Sequence, residues 1–270
     1  MNEEEPESEM DAERITQAAR LLLQARGDHR QIDGLPEECR PTTLDEGYAI
    51  QDELARLWEL ESGGWKVGAA TPYWQERVGA PSPVAGRMFA PFIFESPAEF
   101  YGGAFHVRIV ESEYAFRLAR DLPPREAAYE RAEVEDAIET LHPAIELVDS
   151  RYKGGLDAGA FSLVADNALA AAFVHTDPIP DWRDQDLTNR RVRLLIDGAV
   201  MAEGTGEDVG GHPILPLIWL ANDRSRRGDG LLAGQFITTS SVTGIHQAPA
   251  ECEVVADFGA FGEVRVTFTG

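Results

Sequence analysis

Apolar positions recur at two different spacings along this chain, and the change comes near Gly64. Before it the spacing is helical. In DAERITQAARLLLQARG, Ile15, Ala18, Leu22 and Leu23 share one face, and Gly27 ends the run. PTTLDEGYAIQDELARLWELE shows the same period behind a capping Thr or Asp. After Gly64 come short β-type runs divided by Gly and Pro. These are GWKVGAA, FHVRIVESEYAFRL, PAIELVDSRY, VADNALAAAFVH, RVRLLIDGAV, GQFITTSS, CEVVADFG and GEVRVTFT. Two further helices are predicted among them, AEVEDAIETL near 132 and HPILPLIWLANDRSRRG near 212. Residues 1–11 carry too little apolar surface to bury and read as a disordered acidic tail. The expected organisation is a tail over 1–11, a helical segment over 12–63, and one β-rich α/β domain over 64–270.

One strand does not fit its own pattern. In VRIVESEYAFRL, residues two apart point to one face, so Glu111 and Glu113 project together beside Val107, Ile109 and Ala115. The other face carries Val110, Tyr114, Phe116 and Leu118, and neither face reads as solvated. Two buried like charges are costly unless something positive lies between them. A hard divalent cation meets that need with carboxylate oxygens. Glu146, between Ile145 and Leu147 in HPAIELVDSRY, is a third carboxylate in an apolar run. Three glutamates with open positions suit Mg²⁺ or Mn²⁺. The alternative from pattern alone is an edge strand whose glutamates face water or pair with Arg108 and Arg117.

Charge narrows the functional classes. There are 47 acidic against 24 basic residues, a formal net of -23. Such a surface repels phosphate backbones and argues against nucleic acid as a partner. Lysine occurs only at 66 and 153, the rest of the positive charge being arginine; an acidic, lysine-poor surface suits life in salt. A lysine inside the Gly-flanked GWKVG therefore invites a reason, although a packed stem with its ammonium in water is the plain alternative. No run of 18 apolar residues predicts a membrane span, and the acidic start lacks the features of a signal peptide. A cytoplasmic protein is expected. Cys39 and Cys252 read as free thiols, and GEDVGGHP as a capping turn without a phosphate-loop fingerprint. The histidines show no ligand spacing: His142 and His212 precede prolines and suit turns, His246 sits in a loop, and nothing assigns His29 to a lid.

Several ordered blocks together resemble the fumarylacetoacetate hydrolase superfamily. They are GWKVGAA, VGAPSPVAGRMF, VESEYAFRLARDLP, HPAIELVDSRY with VADN, EGTGEDVGGHPILPLIWLAN, GQFITTSSVTG and ADFGAFGEVRVTF. The likeness covers roughly residues 45–270 and is strongest to the branch of 2-keto-4-pentenoate hydratases and 4-oxalocrotonate decarboxylases. It implies a mixed, strongly curved β-roll with helices outside, assembled as a homo-oligomer. It implies that Glu111, Glu113 and Glu146 hold Mg²⁺ or Mn²⁺, which chelates a 2-oxo or enol acid and stabilises enolate charge. Lys66 matches an active-site lysine, whose pKa an apolar pocket would lower for proton transfer. Asp166 matches a block close to the site as a catalytic candidate, with Asn167 orienting ligands; both also suit a structural part. Thr239 suits the substrate carboxylate, or a plain place in the sheet. Arg87 suits a distal carboxylate, or a surface salt bridge.

Two departures bear on the reaction. Hydratases of this branch carry an aspartate in a P-D-x-G block, where this chain reads PVAG with Val84; decarboxylases often have an apolar residue there. Leu169 also stands where a small polar residue is usual. The hydrolytic branch uses a histidine–glutamate pair in a lid, yet AATPYWQERVG offers Glu76 without a histidine, and Glu146 replaces a common aspartate ligand. The resemblance thus implies a lyase of aromatic catabolism acting on 2-hydroxypenta-2,4-dienoate-type acids. Behind it stand 4-oxalocrotonate-type decarboxylation, acylpyruvate carbon–carbon hydrolysis, and a non-catalytic binder of 2-oxo acids.

Overall fold

The structure, a computed structural model, describes residues 10–270. The expected disordered tail lies outside the described residues as far as residue 9. Its last two residues are part of the fold: Asp11 caps the first helix by accepting from Arg14 N, and Met10 N donates to Glu46. That helix, α1 (Ala12–Gly27), packs on α2 (Leu44–Trp58), which Thr43 caps. Their apolar faces, with Leu22, Ile50 and Leu54, share a small core with Tyr152 and Ala165 from further along the chain. The remaining helices are α3 (Pro72–Val78), α4 (Arg131–Ala137), α5 (Ala160–Ala165) and α6 (Ile214–Arg227).

The β-rich part forms two mixed sheets. The larger follows the order β2 (Val84–Phe89), β1 (Ser62–Gly68), β10 (Phe236–Thr238), β5 (Ile109–Leu118), β6 (Ile138–Val148), β7 (Ala170–His175) and β3 (Ile93–Glu95), with β11 (His246–Gln247) beside β5. The smaller runs β4 (Ala98–Tyr101), β13 (Glu263–Thr269), β12 (Cys252–Asp257), β8 (Arg191–Ile196) and β9 (Ala199–Thr205). Three pairings are parallel, β1 with β10, β3 with β7 and β4 with β13; the others are antiparallel. The main core lies between the sheets. Val110, Tyr114 and Phe116 of β5 meet Val254, Phe258 and Val266 there, with the Tyr114 and Phe258 rings 5.3 Å apart.

The larger sheet curls until β2 runs alongside β7, but no ladder joins them. An open strand edge needs partners for its N–H and C=O groups. Side chains provide them. Tyr48 Oη accepts from Ala85 N, and Gln51 Nε2 donates to Ala85 O and to Val164 O. One step along, Asn167 Oδ1 accepts from Arg87 N at 2.7 Å, while its Nδ2 donates to Arg87 O at 2.8 Å. Gly86 lies between those two residues because a Cβ would collide with the Asn167 carbonyl. The sheet is therefore a roll whose seam is closed by amide and phenol groups.

Several sequence expectations change in detail. RVRLLIDGAV is a hairpin, β8 and β9, turned on Asp197 and Gly198, both with positive φ. AEVEDAIETL is helical only to Ala137; β-branched Ile138 and Thr140 already belong to β6. In VADNALAAAFVH, the first four residues finish α5 and its turn, and the strand starts at Ala170. The expected boundary at 64 falls inside β1.

Candidate active site

The glutamates emerge from the inner face of the roll. Glu111 of β5 stands directly opposite Glu146 of β6, and Glu113 follows two residues on from Glu111, on the same face. Carboxylate oxygens of all three lie within 4.8 Å of one another. Exposure is 9% at Glu111, 0% at Glu113 and 1% at Glu146, which rules out the water-facing edge strand. Arg108 and Arg117 are also occupied elsewhere: Arg108 bonds main-chain carbonyls, and Arg117 pairs with Glu139. Lys66, from β1, brings Nζ to 3.0 Å from Glu146 Oε1, an ion pair without hydrogen-bond alignment. Both oxygens of Glu113 and both of Glu146 are buried with no hydrogen-bond partner among the described residues.

Three carboxylates against one ammonium leave the cluster short of positive charge. Burial, with Glu146 adding to it against the opposing Lys66, raises Glu111 to about 7. Burial and then Glu146 and Glu111 hold Glu113 well above the ordinary carboxylate range. For Lys66, burial works downward, but Glu146, Glu111 and Glu113 outweigh it, and its pKa is raised. Burial alone would lower Lys66 as expected from its apolar surroundings; the three glutamates beside it act in the opposite direction. Orphaned, convergent, all-oxygen acceptors are the donor set of a hard divalent cation. The residues present fit such an ion.

On one side the cluster abuts an apolar plug of Met88, Ala115, Ala144 and Phe173. On the other it opens into a cleft of about 610 Å³ including its mouth. Lys66, Glu111, Ser240 and Ser241 form the polar wall of this cleft. Val84, Leu169, Leu163 and, from α3, Trp74 and Val78 form the apolar one. Ser240 has φ 74, a left-handed turn that ends the run after β10 and sets its side chain on the rim. Both serines were missed from sequence. The signal was the TTSS run itself, which did not say which of four hydroxyls faces inward.

The other candidates stand elsewhere. Asp166 is 0% exposed and accepts from Arg151 Nε at 2.7 Å and Arg151 N at 3.0 Å, with Arg26 at 3.8 Å. It is not brought to the cleft. Asn167 closes the seam. Arg87 pairs with Asp52 at 2.6 Å and stacks over Trp65, and it does not line the cleft of Lys66 and Glu111. Thr239 is fully buried and donates its hydroxyl to Tyr114 O at 3.0 Å. His212 Nδ1 accepts from Ile214 N at the start of α6, and His142 bonds Thr140 and Thr176. His246 contacts Thr243 O, and His29 stacks on His106. Cys39 and Cys252 are free and buried. Among the described residues no helix is long and apolar enough to cross a membrane.

No protein-family profile matches the chain. Individual proteins do. The chain is 31% identical over 258 residues to a 2-keto-4-pentenoate hydratase of Burkholderia vietnamiensis, covering 94% of this chain and 97% of that one. It is 28% identical over 256 residues to a 4-oxalocrotonate decarboxylase of Pseudomonas putida, covering 91% and 92%. Among solved structures, the 4-oxalocrotonate decarboxylase from Pseudomonas putida G7, complexed with magnesium and adipate, matches with a TM-score of 0.88 at 22% identity, over 96% of this chain and 98% of that one. That likeness shows the fold; the hydratase identity, over nearly the whole of both chains, shows the kinship. The chain belongs to the 2-keto-4-pentenoate hydratase family.

Proposed function

We propose that this protein is a divalent-metal-dependent lyase that hydrates short 2-hydroxy-2,4-dienoic acids of the 2-hydroxypenta-2,4-dienoate type, a reaction of aromatic catabolism. The observation that carries this reading is the buried set Glu111, Glu113 and Glu146, three convergent carboxylates that Lys66 alone faces with positive charge. The identity to hydratases supports it. Glu111, Glu113 and Glu146 are the residues that would hold Mg²⁺ or Mn²⁺. Bound there, the ion supplies stabilisation of negative charge on the substrate's 2-oxygen.

The rest falls to the chain. Hydration moves the enol proton to C5, leaving a 2-oxo-3-enoate, and then adds water across C3 and C4, the hydroxyl to C4 and its proton to C3. Lys66 Nζ, kept cationic by its neighbours, is the group placed to hold and pass a proton and to offset the substrate's carboxylate. Ser240 offers its hydroxyl to that carboxylate, the part first given to Thr239; Thr239 instead anchors the turn that carries it. Asp166 acts by holding Arg151, and Asn167 by holding β2, so both position the wall rather than touch substrate. Trp74 and Val78 of α3 cover the mouth and limit water.

Decarboxylation of 4-oxalocrotonate is the second reading, and Val84 favours it: an apolar side chain lines the cleft where hydratases of this branch carry an acid–base aspartate. Turnover followed by ultraviolet absorbance, with Mg²⁺ or Mn²⁺ and both acids in parallel, separates the two. Loss of dienol absorbance without gas supports hydration. Release of CO₂ from the dicarboxylate alone makes the protein a decarboxylase. Binding of oxalate with no turnover of either acid would leave a non-catalytic member. The reading also includes a cytoplasmic homo-oligomer and adaptation to salt; the net charge of -23 supports the adaptation, and stability unchanged between low and molar salt would count against it.

A further inference from the structure

The two readings differ in what the far end of the substrate carries, and the cleft has a distinct chemistry there. Its charged groups, Lys66 and Glu111, lie at the inner end, where the metal-type glutamates and the substrate's carboxylate and 2-oxygen belong. Away from them the wall is Trp74, Val78, Val84, Leu163, Leu169 and Ile245. Among the described residues, no arginine or histidine lines the cleft.

The nearby arginines lie outside it; Arg26 and Arg87, each with a buried nitrogen lacking a hydrogen-bond partner, line a separate small cavity on the other side of Glu146. Arg87 pairs with Asp52 and lies over Trp65. Arg77, on α3 itself, pairs with Asp157 at 2.9 Å, with both side chains exposed. Arg151 and Arg26 converge on Asp166. A second carboxylate pushed against Leu169 and Val84 would lose its water and gain no donor. An alkyl or aryl group there would bury apolar surface on both partners. Leu169 reaches this position because residues 167–169 all adopt positive φ, which carries the chain from the seam to the cleft.

We infer that the cleft selects 2-hydroxy-2,4-dienoic acids whose far end is uncharged and apolar, an alkyl or aryl substituent on the diene, and rejects the dicarboxylates. Val84, Leu163 and Leu169 are the specificity-determining residues. The inference rests on the lyase reading above and names its substrate class.

The test uses the full chain loaded with Mg²⁺. kcat/KM is measured for 2-hydroxypenta-2,4-dienoate, for its homologue with a methyl group at C5, and for the analogue with a carboxylate at C5. Calorimetric binding of 2-oxohexanoate and 2-oxoadipate gives a second readout that needs no turnover. The expected order is methyl homologue above parent, by about tenfold per buried carbon, with the dicarboxylate last by about a hundredfold or more. 2-Oxohexanoate should bind and 2-oxoadipate should not. Leu169→Arg should narrow or reverse the preference by placing a cation on the wall. If that variant misfolds, the order in the unaltered protein still decides. A dicarboxylate turned over or bound as well as the apolar acids would overturn the inference while leaving the lyase reading intact. Turnover of none of the three, with 2-oxohexanoate bound and 2-oxoadipate not, would sink the lyase reading but support the wall's selectivity. Neither turnover nor discrimination in binding would overturn both.

Discussion

Two clusters of buried charge sit in this protein, and they are built in opposite ways. Around Asp166, two arginines face two aspartates: Arg151 meets Asp166 closely and Asp149 at 3.9 Å, and Asp149 also accepts from His106 N and Val107 N. Its loosest member is Arg26, lowered to about 9 by burial and by the charge of Arg151. Around Glu113, three carboxylates face one ammonium, and four buried oxygens have no hydrogen-bond partner. The first cluster balances its charges within the protein and satisfies its carboxylates, although Arg26 Nε and Nη2 find no hydrogen-bond partner; the second sets three carboxylates against one cation. In sequence the glutamates stood out as carboxylates in apolar runs, and Asp166 only through the resemblance, which also allowed it a structural part. What separates them is saturation: leftover acceptors point to a ligand, and spent ones to architecture.

The contrast can be broken or sharpened by mutation. Glu113→Gln should cost at least about a thousandfold in metal-dependent turnover, and calorimetry should show the loss of Mg²⁺ binding; full activity would end the assignment. Asp166→Asn should leave a buried arginine without its partner and cost about 3–5 kcal/mol in urea unfolding, equally with and without metal. Asn167→Ala should cost about 2 kcal/mol by leaving the Arg87 main-chain groups unpaired, read as a lower urea midpoint. In chelator at neutral pH, Glu113→Gln should instead stabilise the protein by about 1 kcal/mol, since it removes a carboxyl that must take up a proton or bury its charge on folding. That last sign, opposite to Asp166→Asn, is the most direct check on the difference between the clusters. Equal destabilisation by both would erase it.

The glutamate triad was legible because a strand alternates with a period of two, so Glu111 and Glu113 had to share a face and a problem. Glu146 followed from its apolar neighbours. The parts of Asp166 and Asn167 were not legible, since their place depends on three successive left-handed residues that no local pattern announces. The strand β2 escaped notice because VAGRMF is short, holds a glycine and is flanked by proline. Its edge is covered by side chains from α2 and Asn167, tens of residues away in sequence, and long-range pairing leaves no trace in hydrophobic spacing. The long helices α1, α2 and α6, by contrast, were read nearly to their ends, because a 3.6-residue period and a cap are local facts, whereas the short α3 and α5 were not anticipated and α4 was read too long.

The seam between β2 and β7 carries a consequence for how the molecule is held in shape. A sheet that curls this far without joining its own ends has a gap in its circumference, and here Tyr48, Gln51 and Asn167 fasten it. Two of those three fasteners belong to α2, in the segment that precedes the β-rich part and contributes nothing to the cleft's lining. The helical segment thus works as a clasp. A chain beginning at β1 would keep every glutamate and the lysine, yet only the Asn167–Arg87 pair would still fasten the wall bearing Val84 to the wall bearing Leu169. The width of the opening offered to a small molecule is set from outside the roll, by residues that never meet it.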